Sequence, residues 1–270
     1  MIDNADKWAK EGWGGYLMPG ALTDQSSVVI LVTPSLTHQD AVLSMKPLGD
    51  FVSSLGNIHI PTFAGVETKN SFSEVLKSPF LTGLDSTNSA GYAVASRLIP
   101  RKYFQGEENK ARLGSLLSDT LRSARDGNFL SFLPMLICIT APSSYKLPLS
   151  DEPGNIGESS TSPAWRSSLW HVMSMRNWDS AKNDPQFVRD QFDSLSKSIN
   201  PLREFTPDGG AYQNEADTFE PDPATAFWGQ EHYNRLLAIK KEIDPTNLLT
   251  CHQCIGWDAT DPRFNCYPRV

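Results

Sequence analysis

Several apolar runs along the chain have the length and composition of β-strands. They cover residues 26–33, 91–99, 129–140 and 164–175 and are rich in Val, Ile, Leu and aromatic residues. A weaker alternation over residues 57–68 predicts one more strand. Two stretches rich in turn-forming and polar residues, 79–90 and 142–163, predict loops.

Helical periodicity occupies most of the sequence between these strands. Thr37 and Asp40 resemble a capping box, with Asp in place of the usual Glu, and open a helix that Gly56 ends. Pro47 lies inside this helix and is expected to bend it or to end its first part. The strongest apolar stripe predicts a helix over 107–125, and further helices are predicted over 71–77, 184–199 and 224–243.

The order of these elements indicates the fold class. The strands at 129–140 and 164–175 follow one another without an intervening helix, which parallel strands would need. We therefore predict an α+β fold: a mostly antiparallel sheet covered by helices on one face.

Composition and charge narrow the classes of partner that the chain can bind. Hydrophobic residues make up 39% of the 270 residues and charged residues 20%, as in ordinary globular proteins. The net charge is -7 and basic residues occur only in short pairs, which argues against nucleic acid as a partner. No apolar run approaches the ~20 residues that span a bilayer, so we expect no membrane insertion. The N-terminus carries no signal peptide, and the sequence assigns no compartment.

Three of the four cysteines lie in the last twenty residues. A disulfide from Cys266 to Cys251 or Cys254 is one interpretation, and free, partly buried thiols are another. Zinc binding by Cys251 and Cys254 is a weaker one, because no second ligand pair occurs at the spacing of a zinc finger. We therefore assign no metal site.

The C-terminal third carries the most specific pattern. Its ordered motifs span about forty residues and resemble the C-terminal signature of berberine-bridge-enzyme-like FAD-linked oxidases, in the vanillyl-alcohol-oxidase superfamily. The motifs are Tyr212-x-Asn214-x-x-Asp217, Phe227-Trp228-Gly229, Tyr233-x-Arg235-Leu236-x-x-Ile239-Lys240 and Asp244-Pro245-x-Asn247-Leu248. Upstream segments are similar to the substrate domain of fungal members: Gly12-Trp13-Gly14-Gly15-Tyr16, Ser96-Arg97-Leu98-Ile99-Pro100 and Pro163-Ala164-Trp165-Arg166.

The resemblance implies an incomplete enzyme. Family members begin with an FAD-binding domain that carries the pyrophosphate loop and the residues linked to the flavin, and this chain shows neither pattern. We expect residues 1–208 to form a substrate-binding domain and residues 209–270 a segment that packs on the absent FAD-binding domain. The resemblance leaves secretion of full-length relatives open.

The family motifs also imply candidate site residues. Tyr212 is the candidate catalytic base, and the alternative is a tyrosine whose hydroxyl only holds the substrate or the sheet. Asn214 and Asn247 are candidate FAD contacts. Asn247 suits a turn after a helix equally well, and Asn214 could bond nearby backbone instead.

Three other side chains are candidates for the same site. His171, beside Trp170 on a predicted strand, is a possible base, but a core or rim histidine is the preferred interpretation. Arg97 and Arg166 on predicted strands could bind a carboxylate substrate, although structural pairing with an acid is favoured.

Two functions remain open. In the first, the chain is the substrate-binding half of an FAD-linked oxidoreductase of fungal secondary metabolism, acting on a small molecule together with a separate FAD-binding domain. In the second, it is a flavin-free remnant or interaction module without activity.

Overall fold

A computed structural model describes residues 1–21, 26–55, 65–77, 90–126, 134–140 and 160–267. Within these ranges the strands form an antiparallel five-stranded sheet in the order β2-β1-β4-β5-β3. The strands are β1 (Gly14–Pro19), β2 (Ser27–Val32), β3 (Ala90–Pro100), β4 (Met135–Ile139) and β5 (Ser168–Asp179). The predicted α+β class is confirmed.

The described part of the chain also contains helices of very different length. They are α1 (Ala5–Lys10), α2 (His38–Ser54), α3 (Phe72–Leu76), α4 (Glu107–Arg125), α5 (Ala164–Ser167), α6 (Pro185–Phe205), α7 (Pro223–Trp228) and α8 (Gln230–Ile243). The helix α4 has the predicted bounds, and the side chain of Thr37 caps α2 by accepting from the Asp40 amide, as predicted.

The two long helices α4 and α6 cover one face of the sheet. Leu113 of α4 and Ile199 of α6 are fully buried in one cluster with Ile137, Trp170 and Val172 of the central strands. Successive side chains of a strand point to opposite faces, so His171, between Trp170 and Val172, points away from the helices. We call this opposite side of the sheet the site face.

Two helix boundaries differ from the prediction. Residues 164–167, predicted as the start of a strand, form the helix α5, and the strand begins only at Ser168. Pro163 has αR dihedral angles and starts this helical turn, which moves Trp165 and Arg166 off the sheet. The helix predicted over 224–243 is interrupted at Gly229, whose φ of 74° is in the left-handed region and separates α7 from α8.

Other differences concern length. The prediction missed β1, whose Gly14-Gly15 start obscures the apolar alternation, and placed the end of α6 at 199 although it continues past Pro201 to Phe205. Pro47 lies within α2, which continues past it to Ser54, so of the two effects expected of the proline, an end of the first part of the helix does not occur. Most of the strand predicted at 57–68, the first part of the one at 129–140 and most of both predicted loops lie outside the described residues.

Candidate active site

Two glycines bring the C-terminal segment onto the sheet. A Cβ on Gly209 would lie 2.5 Å from the Leu98 carbonyl oxygen, and one on Gly210 would lie 2.7 Å from the Ala226 carbonyl oxygen. The Leu98 amide donates to the Gly210 carbonyl at 2.7 Å, which joins this segment to β3. Only glycine, which has no Cβ, permits this close approach. Because of it, the residues that follow Gly210 lie on the site face.

A row of paired residues crosses the site face. Tyr16 of β1 pairs with Cys138 of β4, Cys138 pairs with His171 of β5, and His171 pairs with Leu98 of β3. Side chains of directly paired residues lie on the same face and close together. The row therefore places an aromatic, a thiol and an imidazole side by side beneath the C-terminal segment, which contributes Tyr212.

Three rings form the centre of the site, and we call Trp165, His171 and Tyr212 the aromatic triad. Trp165 lies 5.2 Å from His171 and 5.7 Å from Tyr212 between ring centroids, and His171 lies 6.0 Å from Tyr212. The two contacts of the Tyr212 ring are edge-on, a favourable arrangement for aromatic pairs. The triad thus combines residues from α5, β5 and the C-terminal segment.

Tyr212 and Asn214, both predicted from the sequence, contact each other. The Asn214 side-chain amide donates a hydrogen bond of 3.0 Å to the Tyr212 hydroxyl oxygen. Tyr212 is 38% exposed, so its hydroxyl can reach a molecule on the site face. Because the Tyr212 hydroxyl accepts this hydrogen bond through its oxygen, its own proton is free to be donated to that molecule.

His171 is buried in the floor of the site. It is 2% exposed, and desolvation lowers its pKa to about 4, so its ring is neutral at pH 7. Its Nδ1 lies 3.7 Å from Oε2 of Glu215, and its Nε2 has no hydrogen-bond partner among the described residues. The preferred interpretation of a core histidine agrees with its burial, but one ring nitrogen remains unsatisfied.

Glu215 is a site residue that the sequence prediction did not include. It ends the 3-10 turn Gln213–Glu215, directly after Tyr212, and burial raises the pKa of its carboxyl group. Burial, with a smaller contribution from the negative charge of Glu215, raises the pKa of the Cys138 thiol to about 12. The carboxylate is thus close to both His171 and Cys138. The one feature of the sequence that could have identified Glu215 is its position directly after the Tyr-x-Asn motif.

Asn247 lies in the turn after α8 and has a φ of 52°, a conformation that Asn adopts more readily than most residues. Its side-chain amide donates to the Gly256 carbonyl at 3.2 Å, and its main-chain carbonyl accepts from Arg263 at 2.8 Å. No described contact joins Asn247 to Tyr212 or Asn214. Its Oδ1 is buried without a hydrogen-bond partner among the described residues.

The tail that follows has a different disulfide from the predicted one. Cys251 is joined to Cys254, and Cys266 is free and exposed. The prediction of a bond from Cys266 is wrong because the tail forms a tight turn, in which the Cys254 amide bonds the Cys251 carbonyl at 3.1 Å. The resulting Cα separation of 5.2 Å suits a disulfide. Gln213 of the site donates to the Cys254 sulfur at 3.1 Å, which ties the tail to the Tyr212 segment.

This pairing predicts a specific thiol pattern. We expect a maleimide to label Cys266 rapidly in the native protein, while Cys138 stays unlabelled because its high pKa keeps it a thiol. Unfolding without reductant should expose a second thiol, and reduction should expose all four. Peptide mass spectrometry identifies the labelled cysteines. Rapid labelling of Cys251 or Cys254 with Cys266 protected would restore the pairing predicted from the sequence.

The two candidate arginines occupy different environments. Arg97 is buried, and its guanidinium donates to the hydroxyl and the main-chain carbonyl of Thr206. Desolvation lowers its pKa, and these bonds give it a structural role. Arg166 lies on α5 and not on a strand, so the prediction of its position was wrong.

Two further properties bear on the class of site. Among the described helices none is long and apolar enough to cross a membrane. In the same part of the chain no group of three or more His, Cys, Asp or Glu side chains is arranged to hold a metal ion.

The antiparallel sheet with helices on one face occurs in solved structures of similar fold. The crystal structure of the VAO-type flavoprotein MtVAO713 from Myceliophthora thermophila C1 is similar with a TM-score of 0.67. The match covers 94% of this chain and 43% of that protein at 17% identity, and it shows the fold alone.

Sequence comparison finds similar proteins. Residues 211–256 match the family model described as berberine and berberine like. The FAD-linked oxidoreductase OXR2 of Pyricularia oryzae is 27% identical over 98% of this chain, and the FAD-linked oxidoreductase cheF of Chaetomium globosum is 28% identical over 98%. The resemblance to berberine-bridge-enzyme-like FAD-linked oxidases is thereby confirmed.

The matches cover only part of each relative. The chain spans 42% of the length of OXR2 and 39% of the length of cheF. The similarity is thus nearly complete along this chain and partial along the relatives.

Proposed function

We propose that this chain is the substrate-binding part of an FAD-linked oxidoreductase of fungal secondary metabolism. The observation that carries the proposal is the aromatic triad with Asn214 on the site face, to which the segment that matches the berberine-like model contributes Tyr212 and Asn214. The relatives named as FAD-linked oxidoreductases support FAD as the cofactor. When bound, the flavin supplies hydride acceptance.

The described residues fit one side of a flavin. Tyr212 and Asn214 present polar groups on the site face, and the Oδ1 of Asn247 is an acceptor that lacks a donor. A buried polar atom without a partner is uncommon, and a donor from the cofactor or its domain would satisfy it. We assign Asn214 and Asn247 to this contact, and Tyr212 to the reacting end of the substrate, as proton acceptor or as hydrogen-bond donor.

The C-terminal segment offers an apolar surface for the FAD-binding domain. We call Ile239, Ile243, Leu248 and Leu249 the α8 apolar surface. The last three are 75–76% exposed, and Ile239 is 44% exposed. Buried side chains on α8 itself are limited to His232, and the described contacts of this helix are chiefly with α7. Several exposed large apolar side chains on one helix and the turn after it are typical of an interface, and we propose that the FAD-binding domain covers them.

Flavin binding tests the proposal against the alternative of an inactive remnant. The chain is expressed alone and together with the part of OXR2 that it does not match, and intact OXR2 is the positive control. We expect the flavin absorbance of the mixture to shift when this chain is added. We also expect substrate to bleach the flavin absorbance when oxygen is absent. An unchanged spectrum alongside a functional OXR2 control would support the remnant instead.

A further inference from the structure

We propose that Glu215 accepts the proton that the substrate loses, and that His171 is the positioning residue whose buried ring limits where the Glu215 carboxylate can lie on the site face. Tyr212 then orients the substrate through its hydroxyl. This inference rests on the proposed function and assigns a residue to the proton-transfer step within it.

The location of Glu215 supports the assignment. The turn Gln213–Glu215 follows Tyr212 and ends at Glu215, whose carboxyl group lies beside His171 of β5. Oε2 lies 3.7 Å from His171 Nδ1, and the Glu215 side chain is 38% exposed. The carboxylate thus has one side against the buried imidazole and the other side open to a bound molecule.

His171 limits the position of this carboxylate without neutralising it. A separation of 3.7 Å is too long for a hydrogen bond, and the neutral ring carries no charge to form an ion pair. The ring is fixed from its other sides by Trp165 and Tyr212. Because the fixed, neutral imidazole ring makes no hydrogen bond to Glu215, the lone pairs of the carboxylate oxygens remain available to accept a proton.

Tyr212 is less suited to receive the proton. Its hydroxyl oxygen already accepts a hydrogen bond from the neutral amide of Asn214, and its own proton is free to donate. Glu215, by contrast, is an anion whose pKa is raised by burial, which brings a carboxylate closer to the basicity that general bases use. The titratable groups described around it are His171 and Cys138, and both are uncharged at pH 7.

The step is balanced with the flavin as oxidant. The substrate loses a hydride, which carries two electrons, to the flavin, and it loses a proton to the Glu215 carboxylate. The resulting carboxylic acid returns its proton to water. One substrate is oxidised by two electrons and one flavin is reduced by two.

The first test needs no flavin. The Cε1–Hε1 signal of His171, assigned with His171→Gln, is followed by NMR during a pH titration of the chain. We expect the signal to shift as Glu215 ionises above its ordinary pKa, and this shift to be lost in Glu215→Gln and kept in Glu108→Gln, a change at an exposed glutamate of α4. A His171 signal that is the same in Glu215→Gln as in the native chain would overturn the proposal.

The second test separates the two candidate proton acceptors in the pair of this chain with the unmatched part of OXR2. Glu215→Gln should slow flavin reduction about 100-fold or more and remove the acidic limb of its pH profile. Tyr212→Phe should raise KM and keep that limb. Loss of the limb in Tyr212→Phe with its retention in Glu215→Gln would assign the proton to Tyr212. If the pair binds no flavin, the proposed function fails, while the NMR result still decides the Glu215–His171 contact.

Discussion

Replacing Arg203 with Met is expected to destabilise the fold by about 3 kcal/mol. The Arg203 guanidinium, near the end of α6, lies 3.0 Å from a carboxylate oxygen of Asp217 and 2.9 Å from one of Glu220. Both acids are buried and belong to the C-terminal segment. The substitution keeps much of the apolar stem and leaves two buried carboxylates without this cation. Arg97 still favours ionised Glu220, so we expect the lower end of the range for broken buried pairs.

The pH dependence of this loss distinguishes charge from packing. Without Arg203 the pKa of Glu220, which burial already raises, rises further in the folded state, so the penalty is largest at neutral pH and decreases as this carboxyl group takes up a proton. Chemical denaturation at pH 7 and pH 5 measures both effects. Arg122→Met, at an exposed arginine paired with Asp119 on α4, is the matched control and should cost less than about 0.5 kcal/mol. A similar loss at both pH values would assign the effect to packing.

Acidification is expected to destabilise the protein through His171. Its pKa falls from 6.5 to about 4 on folding because burial disfavours the charged ring. The unfolded chain therefore binds more protons between these values, and stability rises with pH across that window. The full effect of this one residue is on the order of 3 kcal/mol, present above pH 6.5 and lost as the pH falls toward 4.

A difference between two titrations isolates this contribution. The free energy of unfolding is measured from pH 4 to pH 7 for the native chain and for His171→Gln, and the slope between pH 4 and 6.5 should be smaller in the variant. His38→Gln changes an exposed histidine on α2 and should keep the native slope. Parallel curves for the native chain and His171→Gln would show that folding leaves the pKa of this ring unchanged.

Local patterns predicted those elements whose stability depends on a regular apolar stripe. The helix α4 was predicted to its observed bounds because Leu113, Leu117 and Ala124 repeat on one face. The residues 164–167 were assigned to a strand because Trp165 continues the apolar character of β5, whereas the backbone at Pro163 starts a helical turn. The composition of residues 164–167 does not distinguish a strand from a helical turn.

The site was only partly accessible to sequence reasoning. Tyr212 and Asn214 are two residues apart and carry a family motif, and the structure places them in contact. Glu215 and His171 are distant in sequence and meet only because Gly209 and Gly210 let the segment cross β3. The disulfide likewise depends on the local turn at Cys251, which the number of cysteines does not determine.

We propose that this chain completes a flavoenzyme by docking on an FAD-binding domain through the α8 apolar surface. Sedimentation velocity of the chain mixed with the unmatched part of OXR2 tests it most directly. We predict a one-to-one complex that Leu248→Asp/Leu249→Asp abolishes and that Val42→Asp/Leu43→Asp, at exposed apolar positions of α2, leaves intact. Absence of a complex with the native chain, or a complex indifferent to the change at Leu248 and Leu249, would contradict the claim.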